Sequence, residues 1–339
     1  MKQAVMTSPG HIIIRDVKKP MIEPHQVLVA MKRIGVCGSD IHVYHGKHPY
    51  TSYPVVQGHE VAGVVEQVGA AVEHIDIGDH VTIQPQVVCD ACYPCRHGQY
   101  HICDNLKVMG FQTTGMASEY FAVDEAKVLK LPQGMTLDEG AMVEPLAVAV
   151  HAVGRGGDVK GKKVLVLGAG PIGNLVAQTC KGQGAESVMI TDLSDYRLGL
   201  AKECGIDHCI NPQKEELSQA ISKCFGDDKA DLILECVGIN ATMDQAITNA
   251  RKGSNIIVVG VFGEKASVDL GLVQDRELSL IGTLMYQERD YVEAIDLIEV
   301  GKVKLLPLIT DHFKMEDYSE AYTYIEQQRD RAMKVIIDL

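Results

Sequence analysis

The sequence predicts an α/β protein in which a β-rich domain is interrupted by a doubly wound, parallel-sheet domain. Three observations predict it. The chain has 339 residues, which at about 150 residues per domain is room for two domains and for a large core without disulfide staples. Residues 1 to about 145 carry short strand-like runs separated by tight turns, the pattern of an antiparallel barrel or sandwich. From Lys163 onward, apolar runs and helical stretches alternate at the spacing of right-handed βαβ units.

Taken in order, residues 27–31, 61–68 and 81–88 read as strands, with turns such as Gly78-Asp79 between them. Residues 146–153 are small and apolar and read as a helix, broken by the glycines at 154, 156 and 157. Residues 163–167 form a continuous apolar run, the mark of a strand covered on both faces. Then follow helix 172–181, strand 187–191, helix 197–204, a short strand from Cys209, strand 232–236, helix 241–250, strand 255–260 and a last strand over 277–283. Helices over 289–300 and 318–327 and a strand over 334–337 close the chain. The plan places residues 1–146 and 288–339 in the β-rich domain and 147–287 in the inserted one.

Composition narrows the function. Hydrophobic residues make up 46% and charged residues 23%, which excludes disordered and collagen-like classes. The formal charge of −13 argues against nucleic acid, whose binders carry a basic face. No run of 18 apolar residues is present, so no membrane span is expected. The N-terminus lacks the apolar core of a signal peptide, which makes a cytoplasmic location the expectation. Ten cysteines in such a chain point to metal before disulfides.

Their spacing divides them. Cys89, Cys92, Cys95 and Cys103 lie on one loop, two residues apart at the first two steps, which lets consecutive thiolates reach one tetrahedral zinc ion. Four thiolates leave no open position, so this zinc is expected to be structural. Iron–sulfur clusters also use such spacing, but the nucleotide signature downstream disfavours that reading. Cys37 stands alone, with His59 and Glu60 further on. Cys, His and carboxylate are the donor types of an open, catalytic zinc, and Glu144 is a further carboxylate. Cys180, Cys204, Cys209, Cys224 and Cys236 fall on helix and strand positions and read as packing thiols.

Gly168-Ala169-Gly170-Pro171-Ile172-Gly173 sits where a strand ends and a helix opens. There a GxGxxG run has meaning: the first glycine makes the turn, the second lets backbone approach a pyrophosphate, and the third packs helix on strand. Asp192 ends the next strand, nineteen positions past Gly173. Its carboxylate would accept from a ribose 2′-hydroxyl and repel a 2′-phosphate, favouring NAD over NADP. A flavin or methyl-donor site is the alternative.

These motifs occur together, in this order, in the zinc-containing medium-chain alcohol dehydrogenase superfamily. The resemblance rests on Gly35-Val36-Cys37-Gly38-Ser39-Asp40-Ile41-His42, Gly58-His59-Glu60-Val61-Ala62-Gly63-Val64-Val65, the four-cysteine lobe, Glu119-Tyr120, Glu144-Pro145 and the glycine loop. Within it the chain resembles the polyol and sugar dehydrogenase branch, with sorbitol dehydrogenase as its best-known member. The resemblance implies a GroES-like fold for the β-rich domain, a Rossmann fold for the inserted one, two zinc ions per chain and NAD as cofactor.

By position it implies that Cys37 and His59 ligate catalytic zinc, with Glu60 or Glu144 as third or exchange ligand. It implies that Ser39 takes the substrate proton and that His42 passes it on. Pro171, Ile172, Asp192 and Arg197 then match positions lining the adenosine and pyrophosphate. Val259, Gly260 and Val261, with Thr283, Leu284 and Met285, match the stretches around the nicotinamide. A homodimer or homotetramer is implied, paired through the nucleotide domain, for which 277–283 is the candidate edge strand.

Two departures bear on the substrate. Sorbitol dehydrogenases place a tyrosine directly after the relay histidine; here that position is Val43, and Tyr44 follows. Their pocket arginine is replaced by Met285, before Tyr286, which removes a donor fork for hydroxyls. The loop from Tyr44 to Tyr50 carries His45, Lys47 and His48 and resembles that of bacterial members acting on sugar acids such as gulonate or galactonate. The expected activity is hydride transfer from a secondary alcohol of a polyol, sugar or sugar acid to NAD. Threonine 3-dehydrogenase, butanediol dehydrogenase and a non-catalytic zinc-stabilised nucleotide-binding protein are the alternatives.

Overall fold

A computed structural model describes all 339 residues. The chain forms two compact units, one of residues 1–144 with 309–339 and one of residues 145–308. The return to the first unit therefore comes at Ile309. Helix Glu288–Glu299, placed by sequence in the β-rich domain, packs within the second unit; its buried face of Tyr291, Ala294, Ile295 and Ile298 is an apolar stripe that needs a partner.

The first unit is built on a sheet whose strands run, edge to edge, Ile309–Lys314, Lys334–Asp338, Gln26–Val36, Glu60–Val68, His80–Ile83 and Val128–Lys130, with Tyr120–Asp124 also pairing to Gln26–Val36. All neighbours are antiparallel except the first two, which are parallel. Gln26–Val36 is the spine: Val27, Leu28, Val29, Met31 and Ile34 are fully buried. The strands 61–68 and 334–337 read from sequence are present nearly as read. The N-terminal hairpin Lys2–Ser8/His11–Asp16 and the strand Ile309–Lys314 were not read. A two-residue ladder, Gln86–Val87 on Lys107–Val108, closes the base of the loop that carries the four cysteines.

The second unit is a six-stranded, all-parallel sheet. Its order is His208–Ile210, Ser187–Thr191, Lys163–Leu167, Leu232–Glu235, Asn255–Val258, Ser279–Gly282. Residues 164–167 and 232–235 are completely buried, which is why these segments read as continuous apolar runs. The order reverses between the strands starting at Lys163 and Leu232, and such a switch point is where doubly wound sheets bind ligands. The helix Leu217–Phe225 was not read from sequence; it buries Leu217, Ala220, Ile221 and Phe225 on one face.

Candidate active site

Three strands of the first unit bring distant residues to one end of the sheet. Gln26–Val36 runs out at Val36, and Cys37 follows as the cap of the helix Gly38–Tyr44. Glu60 begins its strand opposite Gly35, which places His59 and Glu60 at the same end. Lys334 begins the strand whose Val335 pairs with Val36. Antiparallel pairing thus collects residues 37, 59, 60 and 334 in one place. The ligand atoms of Cys37, His59 and Glu60 all lie within 4.8 Å of one another. Gly35 leaves room for Glu60: a Cβ there would lie 2.3 Å from Glu60 Oε2.

His59 and Glu60 are buried and Cys37 half-buried, and polar partners hold the cluster. The backbone N–H of Cys37 donates to Asp40 Oδ2 at 2.9 Å, and Gln57 Nε2 donates to Asp40 Oδ1 at 3.0 Å. The Tyr322 hydroxyl donates to Gln57 Oε1 at 2.8 Å. Asp40 Oδ1 faces His59 Nδ1 at 3.7 Å, a charge contact and not a hydrogen bond, and Nδ1 has no hydrogen-bond partner. The carboxylate lies on the Nδ1 side of the imidazole, which leaves the other ring nitrogen free to face Cys37 and a metal. Lys334 Nζ donates to Glu60 at 2.7 Å and 2.5 Å on its two oxygens, and to the Val36 carbonyl at 3.4 Å.

Charge explains the protonation tendencies. Burial would push His59 down, but Asp40, Cys37 and Glu144 outweigh it and hold the imidazole well above its ordinary value. Burial is the main cause that raises Asp40, against the pull of His59. Burial would lower Lys334, yet Glu60, Cys37 and Glu144 keep it above the usual lysine value. The pocket is thus strongly cation-attracting, and its S, N and O donors fit zinc. Glu144, at the start of helix Val143–Arg155, is 5% exposed and close enough to act on both His59 and Lys334.

Ser39 and His42 lie three residues apart on helix Gly38–Tyr44 and so share a face; Ser39 is half-buried and His42 exposed. Tyr44 packs on Tyr322 with ring centroids 5.2 Å apart. His48 stacks on Phe111 at 4.7 Å, and Phe111 packs against His59 at 4.9 Å. Burial, then His42 and His59, lower His48. His45 pairs with Glu326 at 2.7 Å, and Lys47 is exposed.

The four thiols of the lobe lie within 4.8 Å of one another. Cys92 Sγ and Cys103 Sγ are 3.8 Å apart, and Cys103 Sγ and Cys89 Sγ 3.5 Å, close to the edge of about 3.8 Å that four Zn–S bonds of about 2.3 Å define. They are far outside the disulfide bond length of about 2.0 Å. Backbone N–H groups of Ala91 and Cys92 pull the Cys89 thiol down to about 6, whereas burial and the neighbouring thiols push Cys95 up to about 12. Elsewhere, burial pushes the Cys180 thiol up to about 12, which fits a packing role.

The second unit carries the glycine loop as read. Gly168 has φ +99°, and a Cβ at Gly173 would lie 1.9 Å from the Gly168 carbonyl oxygen, so neither position tolerates a side chain. Gly170 caps the helix Pro171–Gly182, with Ile172 in its first turn. Asp192 accepts from the Ala169 N–H at 2.8 Å and from the Ser194 N–H at 2.9 Å, with Arg197 Nη1 3.9 Å away. Val259, Gly260 and Val261 pass so close to Gly238 that a Cβ at Gly238 would lie 2.6 Å from the Val261 carbonyl oxygen. Thr283, Leu284 and Met285 follow the last strand, Met285 with φ 52°. Glu235, not singled out by sequence, anchors this edge by accepting from the N–H groups of Val237 and Gly238, both at 2.9 Å, and from Thr242 Oγ1 at 2.7 Å.

Asp40, Gln57, Tyr322 and Lys334 were also missed as site residues. Asp40 carried a signal, since a carboxylate three residues past an extended Cys37 is a capping position. The others carry none without knowledge of strand pairing.

Comparison with known proteins agrees. Residues 23–133 match the alcohol dehydrogenase GroES-like domain and residues 171–300 the zinc-binding dehydrogenase domain. Sorbitol dehydrogenase 1 of Saccharomyces cerevisiae is 35% identical over 98% of this chain and 96% of its own. The 2-dehydro-3-deoxy-L-galactonate 5-dehydrogenase of Pseudoalteromonas atlantica is 35% identical over 90% of this chain and 89% of its own. A solved structure of an E. coli CFT073 alcohol dehydrogenase (rspB), complexed with NADH, superposes with a TM-score of 0.92 at 31% identity, over 100% of this chain and 99% of that one.

Proposed function

The chain belongs to the zinc-containing medium-chain alcohol dehydrogenase superfamily, on its polyol branch, and from that premise we propose that it oxidises a secondary alcohol of a polyol, sugar or sugar acid with NAD. The observation that carries this reading is the Cys37–His59–Glu60 cluster, a half-buried thiol beside a buried imidazole and carboxylate, with a half-buried serine and an exposed histidine on the adjoining helix. Cys37 and His59 would hold the catalytic zinc with Glu60 or Glu144 completing the set, and Cys89, Cys92, Cys95 and Cys103 would hold a second, structural zinc.

When bound, the catalytic zinc supplies Lewis acidity that lowers the pKa of an alcohol, and the nicotinamide supplies the hydride acceptor. The protein's own residues do the rest. Ser39 accepts the hydroxyl proton, and His42, one helical turn on and exposed, passes it to water. Asp40 fixes the His59 ring, and Asp192 selects a free ribose 2′-hydroxyl. Lys47 and His48, on the loop after the relay helix, are the groups suited to a carboxylate at the far end of the substrate. A second copy would pair along Ser279–Gly282, which ends the parallel sheet and presents an edge.

The test is a substrate panel on metal-replete protein, following NADH by absorbance, with polyols, aldonates, deoxy-sugar acids, threonine and 2,3-butanediol as arms. Turnover of a polyol or sugar acid, with about two zincs per chain, supports the reading. Turnover of threonine or butanediol alone, or of nothing, overturns it.

A further inference from the structure

Glu235 is a fully buried carboxylate at the end of the strand Leu232–Glu235, beside the switch point of the parallel sheet. All its hydrogen bonds converge on one oxygen: Oε1 accepts from the N–H groups of Val237 and Gly238 and from Thr242 Oγ1. None of these donors carries a formal charge. The other oxygen, Oε2, is buried and has no hydrogen-bond partner. The N-terminal turn of helix Asn240–Asn249, which holds Thr242, contributes only a partial positive charge. Asp192, by contrast, has the Arg197 guanidinium 3.9 Å away. A buried carboxylate without a cation is costly, so its position needs a reason.

The reason lies in what Oε2 faces. A Cβ at Gly260 would lie 2.7 Å from Glu235 Oε2 and 2.2 Å from the Gly238 nitrogen. The stretch 259–261, which matches the surroundings of the nicotinamide, thus runs directly over the unpaired oxygen. The Glu235 carbonyl also accepts from the N–H groups of Val259 and Gly260, at 2.8 and 2.9 Å. One residue therefore holds both backbone segments that cross at this edge, and it places a charge beneath them. That charge reaches its neighbours: burial first, and then Glu235, hold the Cys236 thiol well above its ordinary value.

We propose that Glu235 is a positioning residue of the nicotinamide site whose buried negative charge shifts the site's preference toward the oxidised ring. That ring is a cation in NAD⁺ and neutral in NADH, so a fixed anion nearby acts on one form and not on the other. The proposal deepens the NAD-dependent reading above and rests on it.

The test measures dissociation constants on the full-length protein: NADH by its fluorescence, and NAD⁺ and ADP-ribose by displacement of NADH. Glu235→Gln keeps a side-chain oxygen for the three donors and removes the charge. The ratio of the NAD⁺ constant to the NADH constant should rise about tenfold, the scale of one charge acting across a partly buried site. ADP-ribose, which lacks the nicotinamide, should bind within about twofold of wild type. Thr242→Val loosens the same carboxylate and keeps its charge, so it should leave the ratio unchanged. Should Glu235→Gln not fold, Glu235→Asp replaces it, since one methylene fewer draws the charge back from Gly260 and gives a smaller rise in the same ratio. An unchanged ratio in the Glu235 variants overturns the proposal, as does an equal weakening of NAD⁺, NADH and ADP-ribose, which marks a purely structural carboxylate. Wild-type protein that binds neither NADH nor ADP-ribose defeats the NAD-dependent reading instead, and shows this before any variant is made.

Discussion

The four-thiol lobe gathers its candidate ligands from residues 89–103, whereas the Cys37 cluster draws on positions 37, 59 and 60, with a buried cation at 334. The first needs only a loop pinched by a two-residue ladder. The second exists only once three strands have paired in register. They also differ in chemistry. The lobe offers four thiols and no second donor type, a set that would close a tetrahedral shell. The Cys37 cluster mixes thiol, imidazole and carboxylate, and two of the three have a charged partner: Asp40 beside His59, Lys334 on Glu60. A closed shell stabilises; a supported, incomplete one leaves a place for substrate.

The comparison is broken most sharply by removing a ligand from the open site. Cys37→Ser should lower kcat/KM by at least about 10³-fold, because the Lewis acid supplies several kcal/mol of barrier lowering. Metal content should fall from about two zincs per chain to one, with circular dichroism and the unfolding midpoint close to wild type. Loss of both zincs would mean that the two sites are not independent. One step smaller, Ser39→Ala should cost about 10²-fold in kcat, the scale of a displaced proton-transfer group, with both zincs retained. Because His42 is exposed, His42→Ala should be partly restored by added imidazole, and a Ser39→Ala enzyme as fast as wild type removes Ser39 from the relay.

Asp40→Asn sharpens the comparison from the supporting shell. Asp40 accepts from the Cys37 N–H and from Gln57 while its charge faces His59, so it acts on two candidate ligands at once. Loss of its charge should weaken metal retention and activity about 10- to 100-fold, read by chelator competition. The lobe has no counterpart to this residue, and its thiols are oriented by backbone N–H groups such as that of Asn105 on Cys103 Sγ at 3.3 Å.

The same contrast decides what was legible in the sequence. The lobe and the glycine loop could be read because their ligands are near neighbours in the chain, so spacing alone encodes geometry. Cys37, His59 and Glu60 could be named only through a resemblance, since nothing local says that positions 37 and 59 meet. Lys334 could not be read at all. It sits 274 positions from Glu60, beside Val335 and Ile336, where a lysine reads as the end of an edge strand. Only pairing of that strand with the buried spine Gln26–Val36 turns it inward. The return to the first unit was misplaced for a related reason: helix Glu288–Glu299 has an apolar stripe that says it must pack but not on what.

The smallest expected effect on turnover is in the lobe itself. No residue between 88 and 106 belongs to the apolar core of the first unit, so beyond its own local hydrogen bonds and turns this loop is organised by its thiols and the metal they would bind. Cys92→Ala should therefore reduce zinc from about two to one per chain and open new protease cleavage within 88–106, while kcat at 25 °C stays within about twofold of wild type. The unfolding midpoint should fall by several degrees, since 1 kcal/mol corresponds to about 2–4 °C in a domain of this size. The ladder Gln86–Val87/Lys107–Val108 is what confines the damage, because it lies between the lobe and Gly110 and Phe111, and Phe111 packs against His59. A fall in kcat as large as that of Cys37→Ser would show that the ladder transmits disorder to Phe111 and His59, and that the lobe is part of the catalytic apparatus and not only its neighbour.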